Sequence, residues 1–157
     1  MTASGGGFRW DPARLREPSP AVVRAVLPDE VRAFRAVVDP AAAARGVADS
    51  APTTFPARLQ TLDVPGLCLP SAGVVHAAQE VAYPAGRLLA VGERVSVVGW
   101  LESVRRRGRL AIVVVVNQMW AWREDSAAGG AGRQDEAPLL VECRSTVMVT
   151  LPEEVHA

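Results

Sequence analysis

The segment Leu110–Trp122 constrains the fold more than any other part of the chain. It carries Ile112 and then four consecutive valines, Val113–Val116. β-Branched side chains are stiff at χ1 and favour extended backbone. A run this apolar implies burial on both faces of a sheet. The neighbouring segments read the same way. Val74–Tyr83 alternates and stops at Pro84, and Glu93–Val104 carries Val95, Val97 and Val98. Arg105-Arg106-Arg107-Gly108 has the look of a hairpin tip, and Leu139–Thr150 alternates Val141, Cys143, Ser145, Val147 and Val149 on one side. Ser126–Ala137 is a Gly/Ala-rich polar loop.

The first half reads as helical. Ala21–Leu27 is a short helical stretch ending at Pro28. Pro28-Asp29-Glu30 is a helix start with acids in the first turn, and Val31, Phe34, Val37 and Val38 recur at helical spacing before Pro40. Ala41–Ala44 adds a turn. Phe55–Leu62 forms a further helix with Pro56 in its first turn. Residues 1–7 have nothing to pack, and Phe8–Trp10 is a candidate short strand. Helices first and about four long antiparallel strands after make an α+β domain, with the helices on one face of the sheet.

Composition removes several function classes. Among 157 residues, 17 basic and 17 acidic side chains cancel, so the basic excess of a dedicated nucleic-acid binder is missing. Every basic residue is arginine; without lysine there is no Walker A loop and no lysine Schiff base. Cys68, Cys143, His76 and His156 are scattered, with no metal-ligand spacing, so neither a metal nor another cofactor is expected. The first seven residues are unlike a signal peptide, and no apolar run reaches the roughly 20 residues of a membrane helix. A cytoplasmic chain with no membrane span and no nucleic-acid partner is the expectation.

Three segments in order carry a resemblance. They are Ala51-Pro52-Thr53-Thr54-Phe55-Pro56, Val74-Val75-His76-Ala77-Ala78-Gln79-Glu80-Val81-Ala82-Tyr83, and Leu89-Ala90-Val91-Gly92-Glu93-Arg94-Val95. They resemble the A-P-P-T-F, V-V-H-x-x-Q-x-x-x-Y and L-x-x-G-D-x-V elements of MaoC-like dehydratases, in particular the N-terminal, hydratase-associated type of actinobacterial fatty-acid dehydratase subunits. The resemblance spans residues 29–150. It implies a single hot-dog fold, a long central helix wrapped by a curved antiparallel sheet and paired with a second hot-dog. Residues 20–157 would form this domain and 1–19 a flexible or irregular lead-in.

In active members of that family, the resemblance implies, a G-D-x-N-P-x-H segment eliminates water from a (3R)-3-hydroxyacyl thioester. Histidine is the base at C2, aspartate protonates the leaving hydroxyl, and a backbone N–H at a helix end polarises the thioester carbonyl. The corresponding stretch here, Phe34–Gly46, has Asp39-Pro40 but neither asparagine nor histidine. Either Asp39 matches the family aspartate and the histidine position falls among alanines, or Asp39-Pro40 matches a later D-P and the catalytic loop is deleted. The spacing from Asp39 to Ala51 favours deletion. Both alignments lack the catalytic histidine.

The resemblance therefore implies a non-catalytic subunit, shaping the acyl tunnel for a catalytic MaoC-like hot-dog partner. The thioester would be carried on acyl carrier protein or coenzyme A, in fatty-acid or polyketide assembly. His76 reads either as a hydrogen-bonded residue anchoring a loop or as a tunnel residue that substitutes for the missing base. In the second case the chain is a self-sufficient homodimer using His76 with Asp39 or Glu80. A non-enzymatic thioester-binding module is the third reading. Period-2 alternation puts Gln79 and Tyr83 on the strand face opposite His76. Thr53, Thr54 and Phe55 open the central helix, whose free N–H groups suit a carbonyl or phosphate oxygen. Asp39 also reads as a plain helix terminator. Arg105, Arg106, Arg107 and Arg109 read as a solvated tip or as the contact for a carrier protein or pantetheine phosphate. Trp100, Trp120 and Trp122, beside Met119, are expected in the core, some of that surface belonging to a dimer interface.

Overall fold

A computed structural model describes residues 7–43, 49–122 and 137–151. The expectations for residues 1–6, for Gly46 and for the loop over 126–136 lie outside these residues. Among the described residues seven strands occur, β1 (Arg9–Trp10), β2 (Val22–Ala25), β3 (Leu67–Cys68), β4 (Val74–Ala82), β5 (Arg94–Arg107), β6 (Leu110–Ala121) and β7 (Leu139–Thr150). Two helices, α1 (Pro28–Val38) and α2 (Pro40–Ala43), precede β3. Five strands form one antiparallel sheet in the order β2-β5-β6-β7-β4, and β1 pairs with β3 in a separate ribbon.

The valine run lies where its composition requires. β6 is the central strand, between β5 and β7. Ala111, Val113, Val115 and Met119 are fully buried on the inner face, and on the outer face Val116 keeps 1% of its surface. The turn after Arg107 uses Gly108 at φ 58°, a left-handed backbone that glycine adopts without a Cβ clash.

Two apolar clusters fill the inner face. α1 and the turn Phe55–Arg58 cover the first, which joins Val31, Phe55, Leu59, Leu89, Val97, Met119 and Cys143. The second joins Val64, Leu101, Val113, Val115, Val147 and Val149, with Phe8, Trp10, Leu67 and Leu69 packed over it. The β1–β3 ribbon thus caps one end of the sheet and α1 the other.

Three expectations change. Ala21–Leu27 is not helical: Val22–Ala25 pairs with Arg94–Val97 as the sheet's edge. Between Pro20 and Pro28 there is no room for a stable helix, whereas two β-branched valines suit a strand. The long central helix over Phe55–Leu62 is a four-residue 3-10 turn, Phe55–Arg58. Beyond it the backbone is captured by the sheet, since the Asn117 carboxamide binds both the N–H and the C=O of Thr61. Gly99 leaves room for this, because a Cβ there would lie 3.0 Å from Asn117 Oδ1 and 3.2 Å from Thr61 Cγ2.

The tryptophans are the third correction. Met119 faces the core, so Trp120 on the same strand faces outward, as does Trp100 opposite Val116. Trp100 Nε1 donates to Glu102 at 3.0 Å, and Arg94 stacks over the Trp122 ring at 3.6 Å.

Candidate functional site

A cleft of about 520 Å³ lies between the inner face of β4, α1 and the 3-10 turn. His76, Gln79, Val81 and Tyr83 form one wall; Thr53, Thr54 and Ala57 form the second; Phe34 of α1 closes the back. The Phe34 ring meets Phe55 edge-on, with centroids 5.5 Å apart. Such a contact fixes the helix over the turn.

Alternation alone misplaces this wall. His76 stands opposite Val147 and Ala78 opposite Thr146, so Ala77 is an extra residue, a β-bulge. After the bulge Gln79 stands opposite Ser145 and Val81 opposite Cys143. His76, Gln79 and Val81 therefore share the inner face, and all three line the cleft together with Tyr83. The expectation that His76 faces away from Gln79 and Tyr83 fails because of this one residue.

The floor is polar and closed on itself. Ser145, 1% exposed in an otherwise apolar row of β7, lies 2.7 Å from Gln60 Oε1 and 2.8 Å from Gln79 Oε1. Gln60 Nε2 donates to Gln79 Oε1 at 3.0 Å. Tyr83 donates its hydroxyl to the Thr53 carbonyl at 2.6 Å, tying β4 to the segment before the turn. Burial pushes the Tyr83 phenol up to about 12 and the adjoining Cys143 thiol up to about 12. Neither is a nucleophile at neutral pH.

Thr53, Thr54 and His76 reach the cleft as the sequence suggests. Phe55 does not, being fully buried in the first cluster. Of the expected free N–H groups, that of Phe55 is spent on Pro52 O; further along the turn Ala57 N–H donates to Thr54 O and Pro56 has none. Asp39 ends α1, with its N–H on Arg35 O, and does not line the cleft. Glu80 points to the opposite face, 4.0 Å from Arg144. No carboxylate among the described residues lines the cleft with His76. Arg105, Arg106 and Arg107 end β5 and Arg109 lies in the following turn, all exposed.

Ala57, Val81, Phe34 and the Gln60–Ser145 floor were not singled out in the sequence. Ser145 carried the available signal, a hydroxyl in an inward row of valines and cysteine.

Comparison with known proteins places this architecture. No family model matches the chain, and no curated protein resembles it in sequence. Solved structures do match. One is the C-terminally truncated HadBC (3R-hydroxyacyl-ACP dehydratase) complex from Mycobacterium tuberculosis, at TM-score 0.54 and 22% identity, covering 94% of this chain and 99% of that one. A MaoC-like dehydratase from Rhodospirillum rubrum matches at TM-score 0.51 and 17% identity, over 97% and 95% of the two chains. The ChsH1-ChsH2 complex from Mycobacterium tuberculosis matches at TM-score 0.54 and 16% identity, over 87% and 90%. The fold is the hot-dog fold of MaoC-like dehydratases. At these identities the likeness is one of architecture.

Among the described residues no helix is long and apolar enough to cross a membrane, and no cluster of His, Cys, Asp and Glu could hold a metal ion.

Proposed function

We propose that this chain is the non-catalytic hot-dog subunit of a heteromeric (3R)-3-hydroxyacyl-thioester dehydratase. The observation that carries the reading is a cleft that, among the described residues, holds a histidine but no acid, on the inner face of an edge strand paired on one side only. Elimination needs a base at C2 and an acid at the leaving oxygen, close together. His76 could supply one of these, and the Tyr83 hydroxyl is engaged by Thr53. A partner hot-dog carrying both groups completes the chemistry, while this chain supplies a wall for the acyl group.

β4 is where such a partner would add. It offers nine residues of one-sided backbone, against four in β2 at the other edge. It contains no proline and one carboxylate, and the bulge at Ala77 is an irregularity that a pairing strand has to match. The HadBC and ChsH1-ChsH2 structures are themselves complexes, which supports a hot-dog partner here.

Arg105, Arg106, Arg107 and Arg109 are the proposed contact for the phosphate of an acyl carrier protein or coenzyme A arm. Guanidinium groups suit phosphate in geometry and charge. β6 and β7 separate β5 from β4, so this tip stands about 14 Å across the sheet from the cleft wall.

Exposure of His76 within the cleft favours one rival, a self-sufficient homodimer in which His76 meets an acid across the edge. Co-expression with a catalytic hot-dog candidate, followed by size exclusion and a dehydration assay on 3-hydroxyacyl thioesters, decides between them. A hetero-oligomer active only with both chains supports the proposal. Turnover by this chain alone, lost in His76→Ala, overturns it.

A further inference from the structure

The polar floor of the cleft holds more donor hydrogens than its own bonding uses, and one of them belongs to Gln79. Ser145 has a single hydroxyl hydrogen to share between the Gln60 and Gln79 carbonyl oxygens, and Gln60 Nε2 donates to Gln79 Oε1. The Gln79 oxygen is thus engaged and turned toward the protein. Its Nε2 approaches the Glu80 carbonyl at 3.3 Å, which engages one of two hydrogens. Rotating the Gln79 amide alone would set two NH2 groups 3.0 Å apart, and rotating both amides would set Gln79 Oε1 against the Glu80 carbonyl. The network therefore fixes which end faces outward, and Gln79 lines the cleft.

Around that N–H the walls are mostly apolar. Val81 is the next inward residue of β4, and Phe34 and Ala57 lie opposite. Gln79 is the next inward residue from His76 in the other direction, about 7 Å along the strand. A donor held in an apolar cleft loses its hydration when the cleft fills, and a hydrocarbon chain gives nothing back.

We infer that Gln79 is a specificity-determining residue that reads an acceptor oxygen, hydroxyl or carbonyl, on the acyl chain in the cleft. The preferred substrates then carry an oxygen on the acyl chain besides the C3 hydroxyl and the thioester carbonyl that dehydration itself requires. This rests on the acyl-binding reading of the cleft given above. The Ser145 and Gln60 contacts are what make the donor selective, because they hold the amide in one orientation.

The test is direct binding, so it does not depend on turnover. Calorimetry on the full chain, alone and with its co-purified partner, compares 3-hydroxydecanoyl N-acetylcysteamine thioester with forms that carry a further hydroxy or oxo group at each carbon beyond C3. One probe with the further oxygen is expected to bind roughly tenfold tighter than the 3-hydroxydecanoyl reference, the worth of one neutral hydrogen bond. Gln79→Glu keeps an acceptor oxygen for Ser145 and Gln60 but has no N–H. It should lose the preference for the oxo probe, with some loss of thermal midpoint because a carboxylate oxygen then faces the Glu80 carbonyl. Gln79→Leu should bind all probes alike. Equal affinity for every probe in the unaltered protein, or an oxo preference that survives Gln79→Glu, overturns the inference alone. Failure of all probes to bind in either form overturns the acyl-binding reading beneath it.

Discussion

Asn117 accepts the Thr61 N–H at 2.8 Å and returns a bond from its own amide to the Thr61 carbonyl at 3.0 Å. One fully buried side chain of β6 thus closes both backbone groups of a loop residue 56 positions away. It sits between the two apolar clusters, where the cover changes from α1 and the turn to the β1–β3 ribbon. Asn117→Ala strips both Thr61 groups of their partner in a partly buried site. The expected loss is about 3 kcal/mol, since each unsatisfied group costs about 1–3 kcal/mol. Equilibrium urea denaturation reads it.

Gly99 is the matching relief in β5. An added Cβ would meet Asn117 Oδ1 at 3.0 Å, Val64 Cγ1 at 3.1 Å and Thr61 Cγ2 at 3.2 Å. Gly99→Ala should cost about 1–3 kcal/mol from overpacking, although a strand ordinarily gains from losing a glycine. An unchanged denaturation midpoint would mean that the loop yields.

Alkaline pH should weaken the fold in a defined window. Tyr83 and Cys143 both have folded pKa values raised to about 12, from ordinary values of 10.0 and 9.0. The folded state then holds protons that the unfolded chain has released, so stability is full below pH 9 and declines as pH rises toward 12. Tyr83→Phe should flatten the upper part of this decline, at the price of the Thr53 hydrogen bond. A pH series of thermal midpoints for both proteins checks the sign.

For the assembly, Val75 and His76 separate two roles. Val75 on β4 is 56% exposed and faces away from the cleft. Val75→Glu should weaken association with a hot-dog partner at least tenfold while leaving the thermal midpoint of the isolated chain unchanged. His76→Ala should leave both association and dehydration by the pair within about threefold. A loss of turnover with His76→Ala in an intact pair would assign His76 to the chemistry.

Residue by residue, the sequence is legible where one periodicity governs. Leu139–Thr150 is a strand with the expected bounds, because every second side chain meets the same core. The β6 run is equally plain. Legibility fails where a distant partner outweighs local preference. Val22–Ala25 takes its strand state from β5, and the residues after Arg58 leave the helix because Asn117 claims Thr61. Thr53, Thr54 and His76 could be placed in the cleft by resemblance. Their common wall with Gln79 could not, because a bulge leaves no mark in the alternation of small apolar residues around Ala77. Nor does a sequence announce that the N–H of Phe55 is already taken by Pro52.

The same bulge bears on what the protein does at high concentration. A flat edge of nine residues is a template on which any extended chain, including another copy, can add and keep adding. Ala77 breaks that edge into two short lengths with different twist, so a straight strand satisfies only one of them. Growth into filaments is interrupted at its first step. A strand whose own irregularity matches the break can still zip along both lengths, which makes the edge closer to a keyed lock than to an adhesive strip.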